Sequence, residues 1–155
     1  MIALLIQFTV FLSYVGYIYS KFGILDSISE SWYRLEIYNQ SYLFTLFCFA
    51  VGILMLFHGD NVFYFLACSG LCFTGTASAF KDKGSWTDII HYTGAVVAIG
   101  CSLAGLCVVY GVFVPTIITV LSIILFMTLK IPHSLWWIEI VSFLSIMSGI
   151  LTTIL

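Results

Sequence analysis

The chain has 155 residues, 62% of them hydrophobic and 8% charged, with a formal net charge of -2. A soluble domain carries about 25% charged residues, so this composition excludes an ordinary water-soluble enzyme, and no basic stripe or Gly-rich phosphate loop points to nucleic acid or nucleotide. With a mean hydropathy of +1.15 and repeated long apolar runs, the sequence reads as an all-α, polytopic integral membrane protein. Six transmembrane helices in a compact bundle account for residues 1–155 as a single domain.

The first span is predicted over residues 2–19, with Tyr14, Tyr17 and Tyr19 near its end, where aromatic rings meet lipid headgroups. No basic segment precedes it and no small-residue cleavage site follows, so it is expected to be retained as a helix. A polar interfacial loop follows over residues 22–40, carrying Asp26, Glu30, Arg34 and Glu36 among Trp32, Tyr33 and Tyr38. Ser27, Ser29 and Ser31 alternate through it, and Ser29 or Ser31 suits the cap of a short helix.

The second span is expected over 41–57, ending at the turn His58-Gly59-Asp60-Asn61. The third, over 62–80, is rich in small and hydroxyl residues from Ser69 to Ser78, which let helices approach closely in lipid. The fourth, over 89–110, carries Gly94, Ala98, Ser102 and Gly105 on one face, a stripe that suits an internal contact or a homo-oligomer. The fifth, over 112–129, has Pro115 in its first turn and an apolar middle, which predicts a lipid-facing position. The sixth, over 134–154, opens with Trp136 and Trp137, and Glu139 heads a stripe continued by Ser142, Ser145, Ser148 and Thr152.

Six spans place both termini on one side. All five Lys and Arg then fall on the other: Lys21, Arg34, Lys81, Lys83 and Lys130. The positive-inside rule makes that second face cytoplasmic and the termini non-cytoplasmic, as in a bacterial inner membrane. Every acidic residue except Asp60 also lies on the charged face, with His91 and His133.

Ionisable groups at membrane depth are costly and usually serve a site. The candidates for chemistry are His91, Asp88 one helical turn before it to orient the imidazole, Glu139 at similar depth, and Ser29 on the loop that can fold over these helix ends. Asp26, Glu30, Arg34 and Trp137 are candidates for ligand binding. Each has a plainer alternative. His91 suits an interfacial hydrogen bond, Glu139 an ion pair with Lys130 or Arg34, and the serines turn chemistry; His58 and His133 read as loop residues. Cys48, Cys68, Cys72, Cys101 and Cys107 all fall inside spans without a C-x-x-C, as packing residues do. No cofactor or metal is assigned. Histidines are not matched in depth on facing spans, which argues against haem, and no lysine lies mid-span, which argues against a retinal Schiff base.

The runs FGILDSISESWY, LFTLFCFAVGI, FLACSGLCFTGTASAF, HYTGAVVAIG and WWIEIVSFLS resemble small, uncharacterised bacterial and phage membrane proteins across nearly the whole chain. A more distant resemblance is to six-span DRAM/FRAG-type membrane proteins. Ile28-Ser29-Glu30 stands where that family has an Ile-Ser-Asp-like motif after the first span, with Glu30 in place of Asp. His91-Tyr92-Thr93-Gly94-Ala95 stands where it opens span four with His and a small residue. That resemblance implies a first loop on the non-cytoplasmic side, opposite to the charge count. Zinc-dependent intramembrane hydrolases of the ceramidase and adiponectin-receptor type also set Ser, Asp and His in a bundle, but with seven spans and paired late histidines. The functional expectation is a polar site at one membrane face, binding or modifying a lipid or lipid-linked substrate. The alternative is a small-solute or proton pathway down the Glu139 stripe, or a structural subunit of a membrane assembly.

Overall fold

The computed structural model describes residues 1–77 and 85–155, the side chains of 85–88 excepted. Its helices are α1 (Ile2–Phe22), α2 (Ser31–Glu36), α3 (Tyr42–Met55), α4 (Val62–Ala77), α5 (Ser85–Tyr110), α6 (Val114–Thr128) and α7 (Ser134–Ile154). A single 3₁₀ turn, Leu56–His58, prolongs α3. No strand occurs among the described residues. Where water is scarce a chain must satisfy its own backbone, and an all-helical arrangement does so.

The six predicted segments all appear as helices, with two changes. The fourth starts at Ser85, four residues before the expected 89, and the polar loop contains the two-turn helix α2. Lys81, Asp82 and Lys83 and the expected end of the third span lie outside the described residues. Among the described residues, three helices are long and apolar enough to cross a membrane: α1, residues 89–110 of α5, and α7. At 1.5 Å per residue the 21 residues of α1 reach about 31 Å, against about 30 Å of hydrocarbon. The 16 residues of α4 and the 15 of α6 reach only about 24 and 22 Å.

Five helices close a ring. α1 packs on α3, α3 on α4, α4 on α5, α5 on α7, and α7 returns to α1. The α4–α5 contact is the tightest, because Gly70 faces Gly94. A Cβ on Gly70 would lie 2.6 Å from the Gly94 carbonyl oxygen and 2.7 Å from the Ala98 nitrogen. Ala98 and Ser102 are buried, and Gly105 abuts Phe63 and Tyr64, so the small-residue stripe of α5 is spent on α4 inside the chain. The α1 side of the ring is aromatic instead. Tyr14 stacks on Phe47 at 4.2 Å between centroids, and Phe11 on Phe143 at 5.1 Å.

α6 stands outside the ring, against α7 and α5. It buries Pro115, Thr119 and Ser122 and exposes Ile117, Ile118, Leu121, Ile124 and Leu125. Thr119 Oγ1 and Ser145 Oγ share a hydrogen bond of 3.0 Å, while Ser142 and Ser148 turn their hydroxyls back onto the Ile138 and Leu144 carbonyls. The serine stripe of α7 therefore works within α7 and against α6, where the sequence had suggested a polar lining.

Two loop regions finish the ends of the ring. At the α3–α4 turn, Asn61 Oδ1 accepts the Tyr64 N–H and caps α4. Gly59 lies beside it, and a Cβ there would displace the Tyr110 hydroxyl. At the opposite end, Tyr14 OH pairs with the fully buried Ser31 Oγ at 2.6 Å, and Ser31 in turn donates to the Ile28 carbonyl. Lys21 reaches Gln40 Oε1 at 2.8 Å and lies 4.1 Å over the Tyr38 ring. These contacts fasten residues 23–41 across the helix ends.

Candidate functional site

The segment Asp26–Glu30 forms a strap over the end of the ring, with a cleft on its outer side and a chamber beneath it. Three contacts hold the strap to α7. The Trp136 N–H donates to the Asp26 carbonyl at 3.1 Å, the Glu139 carboxylate accepts the Ile28 N–H, and Asp26 Oδ1 meets His133 Nδ1 at 2.8 Å.

The cleft has a volume of about 230 Å³ and is lined by Phe22, Ile24, Leu25, Asp26, Glu30, Arg34 and His133. Its charges are pre-arranged. Glu30 Oε1 takes both Arg34 Nη2 at 2.8 Å and Arg34 Nε at 2.9 Å, while Glu30 Oε2 accepts the Asp26 N–H at 2.8 Å. His133 is held in the left-handed region, with φ of 56°, immediately before α7. Such a backbone is uncommon outside glycine, although histidine tolerates it better than most residues. It turns the imidazole toward Asp26, leaving two carboxylates, a guanidinium and an imidazole around one opening.

The chamber is about 30 Å³ and is lined by residues of α3, α4, α5 and α7 together with Ile28 and Ser29. Its wall is mostly apolar, with Phe44, Phe47, Leu71 and Phe143 prominent, and Glu139, Ser29, Thr74 and Cys48 stand among them. Glu139 takes no part in the expected pair with Arg34, which is committed to Glu30. A second cavity of about 10 Å³ follows along the ring interior, bordered by Gln7 and Ser102. Leu71, Ala98, Ile99 and Phe143 line both cavities and form the neck between them.

Gln7 is fully buried at the far end. Its Nε2 donates to the Val51 carbonyl at 3.1 Å, which fixes the amide, so Oε1 receives His58 Nε2–H at 2.7 Å. Burial, with a smaller push from the N-terminal ammonium, lowers the His58 pKa from 6.5 to about 4. A histidine kept neutral in this way favours the folded state above pH 6.5, and that contribution is lost as pH falls from 6.5 toward 4, because the unfolded chain takes up the proton first. Detergent-solubilised protein is expected to lose stability across this window, and His58→Gln to flatten the slope. Full burial would give about 1.4 kcal/mol per pH unit; the part-exposed ring contributes a fraction of that. An unchanged slope in the variant would remove His58 as the cause.

The predicted site residues thus separate into groups. Asp26, Glu30 and Arg34 meet in the cleft, joined by His133, a loop residue 107 positions from Asp26. Ser29 and Glu139 meet in the chamber. Ser29 Oγ is engaged by Ser27 Oγ at 2.9 Å. His91 lies beside the chamber wall, with Nδ1 3.2 Å from the Thr74 carbonyl and its ring 6.4 Å from that of Phe44. The Asp88 side chain lies outside the described residues. Trp137, at 37% exposed, is not part of the cleft lining; its neighbour Trp136, at 1%, is the buried anchor. Among the described residues no three His, Cys, Asp or Glu side chains gather as a metal site would require. No family model, curated protein or solved structure matches the chain.

Proposed function

We propose that this chain is an integral membrane protein that binds the headgroup of a zwitterionic amine-bearing lipid, or lipid-linked substrate, in the strap cleft. The observation that carries the reading is the pairing of Arg34 with Glu30 and of His133 with Asp26 around one opening of about 230 Å³. A phosphate is matched by the N–H groups of the half-exposed Arg34 guanidinium that Glu30 does not engage. A primary ammonium is matched by the outward carboxylate of Asp26, 81% exposed. Phe22, Ile24 and Leu25 line the same opening and suit the glycerol and first methylenes. Counted along the sequence over six spans, all five Lys and Arg fall on the side of the 22–40 loop, so the bundle crosses the membrane six times with that side cytoplasmic and both termini outside, as in a bacterial inner membrane. The short helices α3 and α6 fit such a bundle by local thinning of the bilayer. Among the described residues, Ser29 Oγ meets Ser27 Oγ at 2.9 Å and His91 Nδ1 lies 3.2 Å from the Thr74 carbonyl, both away from the lining of the cleft.

Native mass spectrometry on the full chain tests this with phosphatidylethanolamine against phosphatidylglycerol. Wild type is expected to retain the amine lipid preferentially. Arg34→Gln and Asp26→Asn should each weaken it about 10- to 100-fold, the worth of a hydrogen bond to a charged group. Equal retention of the two lipids, or equal retention by wild type and both variants, would discard the cleft as a headgroup site.

A further inference from the structure

We propose that the ring interior is a proton path crossing the bundle, with Glu139 as its obligatory relay. The path is independent of whether the cleft holds a lipid. It rests on an ordered series of polar groups and cavities that runs from one end of the ring to the other.

α1 and α7 run antiparallel, since the loop after α1 covers the start of α7. Glu139 lies five residues into α7, or about 8 Å from that end, and Gln7 five residues into α1, about 8 Å from the other. About 15 Å therefore separates the two groups along a helix of 21 residues. The chamber, lined by Glu139, and the second cavity, lined by Gln7, adjoin each other within that interval through Leu71, Ala98, Ile99 and Phe143, which line both. A cavity holds a water when about 10–15 Å³ is open to it and polar partners are present. By that measure the 30 Å³ chamber takes about two waters and the 10 Å³ cavity is at the limit for one. Glu139, Ser29 and Thr74 stand at the first and Gln7 and Ser102 at the second, in walls that are otherwise apolar, so water enters these cavities only transiently.

Entry runs through the strap. Ser27 is part-exposed, Ser29 lines the chamber, and their hydroxyls lie 2.9 Å apart, so the pair carries hydrogen bonding through the strap. A proton passed inward along these hydroxyls protonates the Glu139 carboxylate, forming an O–H bond. The carboxylic acid returns to carboxylate by giving that proton to chamber water. The resulting hydronium relays it across the Leu71–Ala98–Ile99–Phe143 neck to water beside Gln7. It leaves at the His58 end. An apolar neck one side chain long conducts while wetted and closes when dry. No covalent change remains after transit. Ionisable groups inside membranes typically mark such relays; here Glu139 is joined to Gln7 and His58 by cavities.

The test is proton flux into liposomes containing the full chain, read by an enclosed pH dye under a potassium diffusion potential. Wild type should admit protons at least about tenfold faster than E139Q or Q7L at equal incorporation, a modest fraction of what a positioned proton-transfer group contributes. E139Q keeps an oxygen for the Ile28 N–H, so folding is expected to survive; Q7L strikes the far cavity independently. Monodispersity in detergent qualifies each variant, and a qualified variant decides alone if the other fails. Wild-type flux equal to that of protein-free vesicles, or flux undiminished in either qualified variant, would overturn the proposal.

Discussion

Replacing Trp136 by alanine is expected to cost about 3–5 kcal/mol, the range for emptying a large aromatic site in a core. Trp136 is 1% exposed and among the largest fully buried side chains of the molecule. Its backbone N–H also holds the Asp26 carbonyl, so a void beneath it loosens the residue from which the strap starts. Trp137→Ala supplies the internal comparison, since that ring is 37% exposed and should cost well under half as much. Unfolding in mixed detergent micelles, with both variants beside wild type, gives the measurement. Similar losses for the two would mean that the assignment of inner and outer faces to α7 is wrong.

The second large effect lies at Gly70. A methyl group there would sit 2.6 Å from one backbone atom of α5 and 2.7 Å from another. Backbone cannot swing aside as a flexible side chain can, so Gly70→Ala must separate α4 from α5. Overpacking of this kind costs about 1–3 kcal/mol, sometimes more. Gly100→Ala provides the contrast, because nothing lies within 4 Å of its added carbon and alanine favours the helix. The same micelle unfolding should show loss for the first and slight gain for the second. Equal behaviour would refute the close approach of these two helices.

The helices were legible because apolar runs of this length have few alternatives. Their partners were partly legible: the small residues of α5 do face α4, and the apolar middle of α6 does lie outside the ring. Phase and long-range pairing were not. Adjacent tryptophans at a helix start differ by about 100° around the axis, and sequence alone does not say which turns inward; Trp136 does, and Trp137 is no part of the cleft. The serines of α7 recur at helical spacing, but a hydroxyl bonds equally well to its own preceding turn, and Ser142 does so. Asp26 and His133 could not be paired from sequence, because no local pattern links positions separated by the entire bundle. The chamber was hinted at by Glu139 and Ser29, whereas Gln7 was missed: one amide in an apolar helix gives no sign that it meets a histidine 51 residues later.

The closure of the ring by α7 has a consequence for how the molecule is made. α1, α3, α4 and α5 are synthesised in order and each can pack on a ring neighbour as it emerges, but α1 and α5 meet α7 only afterwards. Between the end of α5 at Tyr110 and the end of α7 at Ile154 a ribosome adding about 5–20 residues per second works for some 2–9 seconds. During that time the ring lacks the side that α7 supplies, although Gln7 already has its partners Val51 and His58. The acid that completes the interior arrives on the helix that closes it.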